Sequence, residues 1–129
     1  MILVDSSIWI AHLRGRNTPA TVKLRAVAAN EPLLIGDLIL LEILQGARDD
    51  FHAARIERDL RRYTLVSLLD DALAVRGAQN YRKLRSLGVT IRKTADVIIG
   101  TFCIERDHVL LHDDHDFVPM VKYLGLRTM

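Results

Sequence analysis

Aliphatic residues in this chain come in short unbroken runs and do not alternate with polar ones. Ile2-Leu3-Val4, Leu33-Leu34-Ile35, Leu65-Val66 and the segment Val109–His112 each read as a strand. Runs without alternation indicate strands covered on both faces, as in a parallel sheet. Helical patterns fill the spaces between them. Asp5-Ser6-Ser7 offers N-cap chemistry before a short helix over Ile8–Leu13 that stops near Gly15, and Thr18-Pro19 opens a second helix to about Asn30. Further helices are predicted from Leu38 to Ala47 and from Asp50 to Arg62. A long helix starting at Asp70 ends at Gly88, and another, capped by Thr94, runs through Glu105. A short helix follows the acidic segment 113–116, and Leu124–Thr128 is expected to add an edge strand. Strands alternating with helices predict an α/β domain with a mostly parallel central sheet.

Composition narrows this picture modestly. With 129 residues, 50% hydrophobic and 26% charged, the chain reads as one folded domain spanning 1–129 and not as a disordered segment. The net charge of +2 is too small to announce a nucleic-acid binder by itself. Arginine outnumbers lysine, which suits phosphate recognition. Cys103, flanked by Phe102 and Ile104, reads as a buried, inert thiol. No signal-peptide core or membrane-length apolar run is seen, so a cytoplasmic protein without a membrane partner is expected.

The chemistry lies in four acids set beside aliphatic runs. Asp5 ends Ile2-Leu3-Val4, and Glu42 is the only polar residue between Leu38 and Leu44. Asp96 precedes Val97-Ile98-Ile99, and Asp114 follows Val109-Leu110-Leu111. A carboxylate beside a packed core is costly unless something neutralises it. In a doubly wound sheet, ligands bind beyond the carboxyl ends of the strands. Asp5 and Asp114 follow strands, and Asp96 opens a helix, so those three belong to one edge by topology. Glu42 joins them only if its helix is suitably turned. Each also has a plainer reading: Asp5 as an N-cap, Asp96 as a dipole partner, Asp114 as a solvated loop acid. Converging carboxylates call for a shared hard cation, Mg²⁺ or Mn²⁺, and such a site suits phosphoryl chemistry.

These residues carry a family resemblance. The opening Ile2–Ile10, the helix around Glu42, Thr94-Ala95-Asp96-Val97-Ile98-Ile99-Gly100 and Leu110–Phe117 are similar, in order and over nearly the whole chain, to PIN-domain nucleases. More narrowly, the chain resembles the VapC toxins of type II toxin–antitoxin modules. The resemblance implies a three-layer α/β/α sandwich and an endoribonuclease dependent on Mg²⁺ or Mn²⁺. It implies metal binding and catalysis by Asp5, Glu42, Asp96 and Asp114, with Ser7 and Asp116 in support. Hydrolysis would proceed by metal-activated water. It also implies an RNA substrate, a homodimer, and a cognate VapB-type antitoxin that joins it in a higher assembly. The antitoxin would lie along apolar surfaces near Trp9–Leu13 and Leu41–Gln45. Arg14, Arg92 and Lys93, near the acids in sequence, are candidate RNA contacts. Arg82, Lys83 and Arg85 read as a solvated helix face, and His115 as a solvated loop residue. No interleaving of aromatic and basic residues suggests a base-stacking platform.

Two other classes compete. A non-catalytic PIN-like module could bind RNA or a partner, but it would have no need of costly acids. A phosphatase or phosphoacceptor domain would want a second aspartate two positions after Asp5, where Ser7 stands, or paired acids after the first strand.

Overall fold

The computed structural model describes residues 1–129. The elements follow the order β1 (Ile2–Val4), α1 (Ser6–Leu13), α2 (Pro19–Ala28), β2 (Leu33–Gly36), α3 (Asp37–Gln45), α4 (Asp50–Leu60), β3 (Thr64–Val66), α5 (Asp71–Ser86), α6 (Thr94–Glu105), β4 (Val109–Leu111) and α7 (Val118–Leu124). One 3-10 turn covers His115–Phe117. No helix is long and apolar enough to cross a membrane. The chain divides into two compact units: residues 1–67 with 111–113, and residues 68–110 with 114–129.

Unit 1 holds most of the sheet. β1 pairs with β2 in parallel, Ile2 opposite Leu33 and Leu3 opposite Leu34, and β2 pairs in parallel with β3, Gly36 opposite Val66. The strand order is β3-β2-β1-β4, and Leu111, which belongs to this unit, accepts a hydrogen bond from the backbone N–H of Asp5 at 3.0 Å. All residues of β1 and β2 are buried, as runs without alternation predict. Local chemistry sets the helix starts: Thr18 and Thr21 form a capping box with Pro19 at the first helical position, and Asp49 caps α4 by accepting from His52 N–H at 2.8 Å. Trp9 lies in the core against Tyr63, ring centroids 4.9 Å apart.

Unit 2 is built on α5 and α6. Asp70 caps α5, accepting from Leu73 N–H at 2.7 Å. Gly88, at φ +84°, ends it in a Schellman turn, with Gly88 N–H donating to the Arg85 carbonyl and Val89 N–H to that of Leu84. Between these helices Asn80 donates to Thr101 Oγ1 at 3.1 Å, a buried side-chain pair. Gly100 leaves the space that the Met120 thioether fills, and a Cβ there would collide with it. Cys103 is buried, and burial pushes its thiol up to about 12, so it is inert as expected. His108 stacks on Phe102, and burial lowers its pKa.

Three details differ from the sequence reading. Lys93, not Thr94, is the N-cap of α6, and Thr94 is its first helical residue. The strand at Val109 ends at Leu111, one residue before His112. The expected edge strand over 124–128 is reduced to one parallel bridge, Thr128 with Leu110, because α7 continues through Leu124 to the left-handed Gly125.

The Asn80–Thr101 bond yields a test. Thr101→Val leaves a buried amide without its partner and is expected to lower unfolding stability by about 1–3 kcal/mol in urea titration. Replacing both partners, Asn80→Leu with Thr101→Val, should recover most of that loss. Full stability in the single variant would show the bond to be immaterial.

Candidate metal centre

Unit 2 gathers three carboxylates: Asp96, Asp114 and Asp116 each offer an oxygen, and these oxygens lie within 4.8 Å of one another. Asp96 sits in the first turn of α6, where the helix dipole favours a negative charge, and is 6% exposed. Asp114 caps the 3-10 turn, its Oδ1 accepting from the backbone N–H of Asp116 at 2.9 Å. Phe117, fully buried, closes the turn on the core, so Asp114 and Asp116 leave it in fixed directions. Arg92 adds a cation, with Nη2 3.3 Å from Asp116 Oδ1. That guanidinium is 80% exposed, and an exposed pair contributes only about 0–1 kcal/mol.

The donor set fits a hard cation. Around Mg²⁺ with ligands at about 2.1 Å, neighbouring oxygens stand roughly 3.0 Å apart and opposite ones roughly 4.2 Å. Oxygens already within 4.8 Å need small side-chain adjustments to share such an ion. All three donors are carboxylates, with no histidine or cysteine in the group, which favours Mg²⁺ or Mn²⁺ over zinc.

Unit 1 carries the other acids predicted from sequence. Asp5 ends β1 and is 7% exposed. Its backbone takes the N-cap position of α1, but its carboxylate makes no capping bond, so the plain N-cap reading does not account for it. Ser7 Oγ donates to Asp5 Oδ2 across a long 3.5 Å. Glu42 is half-buried on α3, next to the buried Ile43 and a turn after the buried Ile39. Leu41 is 57% exposed, so the apolar window around Glu42 is only partly core. Asp96 and Asp114 are thus gathered with Asp116 in unit 2, and Asp5, beside Ser7, and Glu42 belong to unit 1.

Among the candidate RNA contacts, Arg14 is exposed after α1, and Arg92 and Lys93 are exposed directly before α6. Arg82, Lys83, Arg85 and His115 are exposed, as expected. Sequence reasoning missed the bond from Arg92 to Asp116. The available signal was a base just ahead of a helix whose first turn carries an acid. Of the apolar surfaces considered for a partner, Trp9 is core. Ile10, Leu13, Ile43 and Ile56 line a small open cavity of about 80 Å³ with Arg14 and His52.

Comparison with known proteins places this geometry in a class. The PIN-domain pattern matches residues 2–121, and the chain belongs to the PIN-domain family. It is 32% identical to the VapC ribonuclease Mb1587 of Mycobacterium bovis and to ribonuclease VapC11 of Mycobacterium tuberculosis, each over 99% of this chain and 97% of that protein. The fold is similar to a chain in the crystal structure of VapBC2 from Rickettsia felis bound to a promoter DNA fragment. The TM-score is 0.79 at 15% identity, covering 100% of this chain and 98% of that one. It is also similar to a chain of FitAB bound to the IR36 DNA fragment, with TM-score 0.78 at 15% identity, covering 100% and 94%. The α/β/α fold class expected from the sequence is the one observed.

A divalent ion held by Asp116 would have to compete with Arg92. Arg92→Gln is therefore expected to tighten Mn²⁺ binding by roughly two- to fivefold, read by isothermal titration calorimetry on RNA-free protein. Unchanged or weaker binding would show that Arg92 does not oppose the ion.

Proposed function

We propose that this protein is a metal-dependent endoribonuclease, the toxin of a VapBC-type toxin–antitoxin system acting in the cytoplasm. The observation that carries this reading is the carboxylate group of Asp96, Asp114 and Asp116, in a chain whose 32%-identical full-length relatives are VapC ribonucleases. This reading also assigns Asp5 and Glu42 to the catalytic and metal-holding set, with Ser7 in support.

Asp96 and Asp114, with Asp116 beside them, would hold Mg²⁺ or Mn²⁺. When bound, the ion polarises the scissile phosphate and makes water a competent nucleophile near neutral pH. The residues do the rest. Burial and the first turn of α6 keep the Asp96 carboxylate in place. The Asp116 N–H fixes the rotation of Asp114. Ser7 restrains Asp5, and Glu42 is assigned to orienting the attacking water. Arg14, Arg92 and Lys93 are assigned to RNA phosphates, and Arg92 becomes available for that role when it leaves Asp116. In-line attack on the phosphodiester leaves a 5′-phosphate and a 3′-hydroxyl.

The same reading assigns a homodimer and a VapB-type antitoxin that joins it in a higher assembly. The cavity lined by Ile10, Leu13, Ile43 and Ile56, with Leu41 exposed, supports an apolar docking segment on unit 1. A basic antitoxin side chain at the acids would replace the ion as the neutralising charge.

The test is cleavage of total RNA by antitoxin-free protein with Mg²⁺ or Mn²⁺. Asp96→Asn and Asp114→Asn should each lower the rate by about a hundredfold or more, since each removes a ligand of the group that stabilises transition-state charge. Asp5→Asn and Glu42→Gln should fall in the same range. Cleavage that persists in chelator, or that Asp96→Asn leaves intact, would refute the mechanism. RNA binding without any cleavage would favour the non-catalytic module.

A further inference from the structure

One face of α4 has no role in the reading above. Phe51, Arg55 and Arg58 recur at spacings of four and three, within about 60° of one another around the helix. Arg48, three residues before Phe51, and Arg62, four after Arg58, extend the same spacing into the flanking turns, and all four arginines are exposed. The Phe51 ring is 74% exposed, while the opposite side of the helix buries Ile56 and Leu60. Phe51, Ala54, Arg55 and Arg58 line an open depression of about 510 Å³.

The charges of this face are uncommitted. The ion pairs Arg61–Glu57, Arg76–Glu105, Arg92–Asp116, Arg106–Asp70 and Arg127–Asp107 include none of Arg48, Arg55, Arg58 and Arg62. Glu57 is taken by Arg61 at 2.7 Å, and Arg62 touches only the backbone carbonyl of Asp59. Asp59 borders the stripe, and Asp49, the N-cap of α4, and Asp50 lie at its N-terminal end, so three acids stand near four bases. A lone exposed phenylalanine would need no explanation. A flat ring bracketed on both sides by guanidinium groups has a specific complement, an unstacked base with phosphates flanking it.

We infer that the Arg48–Phe51–Arg55–Arg58 face of α4 is a binding platform for single-stranded RNA, with a base stacking on Phe51 and adjacent phosphates held by Arg55 and Arg58. The inference deepens the ribonuclease reading by giving its substrate a docking surface on unit 1. The polyanion is favoured over an acidic peptide because a nucleotide chain repeats both required features, a planar π surface and an anionic group, at every unit.

The experiment measures binding of a short, labelled, mixed-sequence single-stranded RNA to the full chain by fluorescence anisotropy, in EDTA. Without divalent ions the result does not depend on the metal centre. Phe51→Ala should weaken binding by roughly fivefold to a hundredfold. Arg55→Gln and Arg58→Gln should each weaken it and lower the salt-dependence slope by about 0.7. The same RNA annealed into a duplex should bind less well than the single strand. Phe51→Trp should preserve affinity, with fluorescence of the new indole quenched by RNA. Melting temperatures should stay unchanged, because the altered side chains are exposed. The proposal is overturned if wild-type protein binds no RNA, if Phe51→Ala and the arginine variants match it in affinity and slope, or if the new tryptophan stays unquenched at saturation. It is equally overturned if the variants keep RNA affinity and lose only binding to an antitoxin peptide, which would make the face a protein dock. Separate cleavage assays with Mg²⁺ keep the two ideas apart, since RNA bound through Phe51 but never cut would spare the platform and remove the nuclease.

Discussion

Three carboxylates held within 4.8 Å are the constraint on which everything else depends. At that separation each pair repels by about 3–4 kcal/mol at an effective dielectric near 20. Against the ~5–15 kcal/mol total stability of an ordinary domain, this is a large standing cost. Arg92 offsets little of it, because its guanidinium is mostly in water. A divalent cation would remove the repulsion, and such an ion can also activate water for phosphodiester hydrolysis. Cost and function therefore point to one species.

The rigidity of the arrangement comes from ordinary devices. Asp96 is placed by a helix start whose N–H groups and dipole tolerate its charge despite burial. Asp114 caps the 3-10 turn that carries Asp116, with one bond from the Asp116 N–H to the Asp114 carboxylate and one buried phenylalanine fixing both. Gly100 lies one turn beyond Asp96 on α6, where the absent side chain lets Met120 of α7 approach. The acids thus stand on packed elements, which suits a site that must present charge in one geometry.

Much of the fold was legible in the sequence because its signals are local. Unbroken aliphatic runs marked β1 and β2 to within a residue, and Pro19, Asp70 and Gly88 marked helix ends. What was misread depended on competition between neighbours. Thr94 carries a capping side chain, but the chain enters the helix one residue earlier, at Lys93. The segment after Leu124 was read as strand, yet Gly125 turns the chain at positive φ and leaves one bridge.

The site was legible unevenly. Topology put Asp5, Asp96 and Asp114 at one edge, but Asp116 was expected only from the family resemblance, because its place beside Asp96 and Asp114 depends on a turn that no periodicity reveals. Glu42 was singled out for an apolar window that α3 in part exposes, so burial alone does not mark it out. The arginine stripe around Phe51 escaped because its interleaving follows the helical period and not adjacency along the chain. The most direct measurement is anomalous diffraction from crystals grown with Mn²⁺. One strong peak is expected at about 2.1–2.2 Å from oxygens of Asp96 and Asp114, with Arg92 withdrawn from Asp116. A map with no peak at these carboxylates under saturating Mn²⁺, and Arg92 still bound to Asp116, would contradict it.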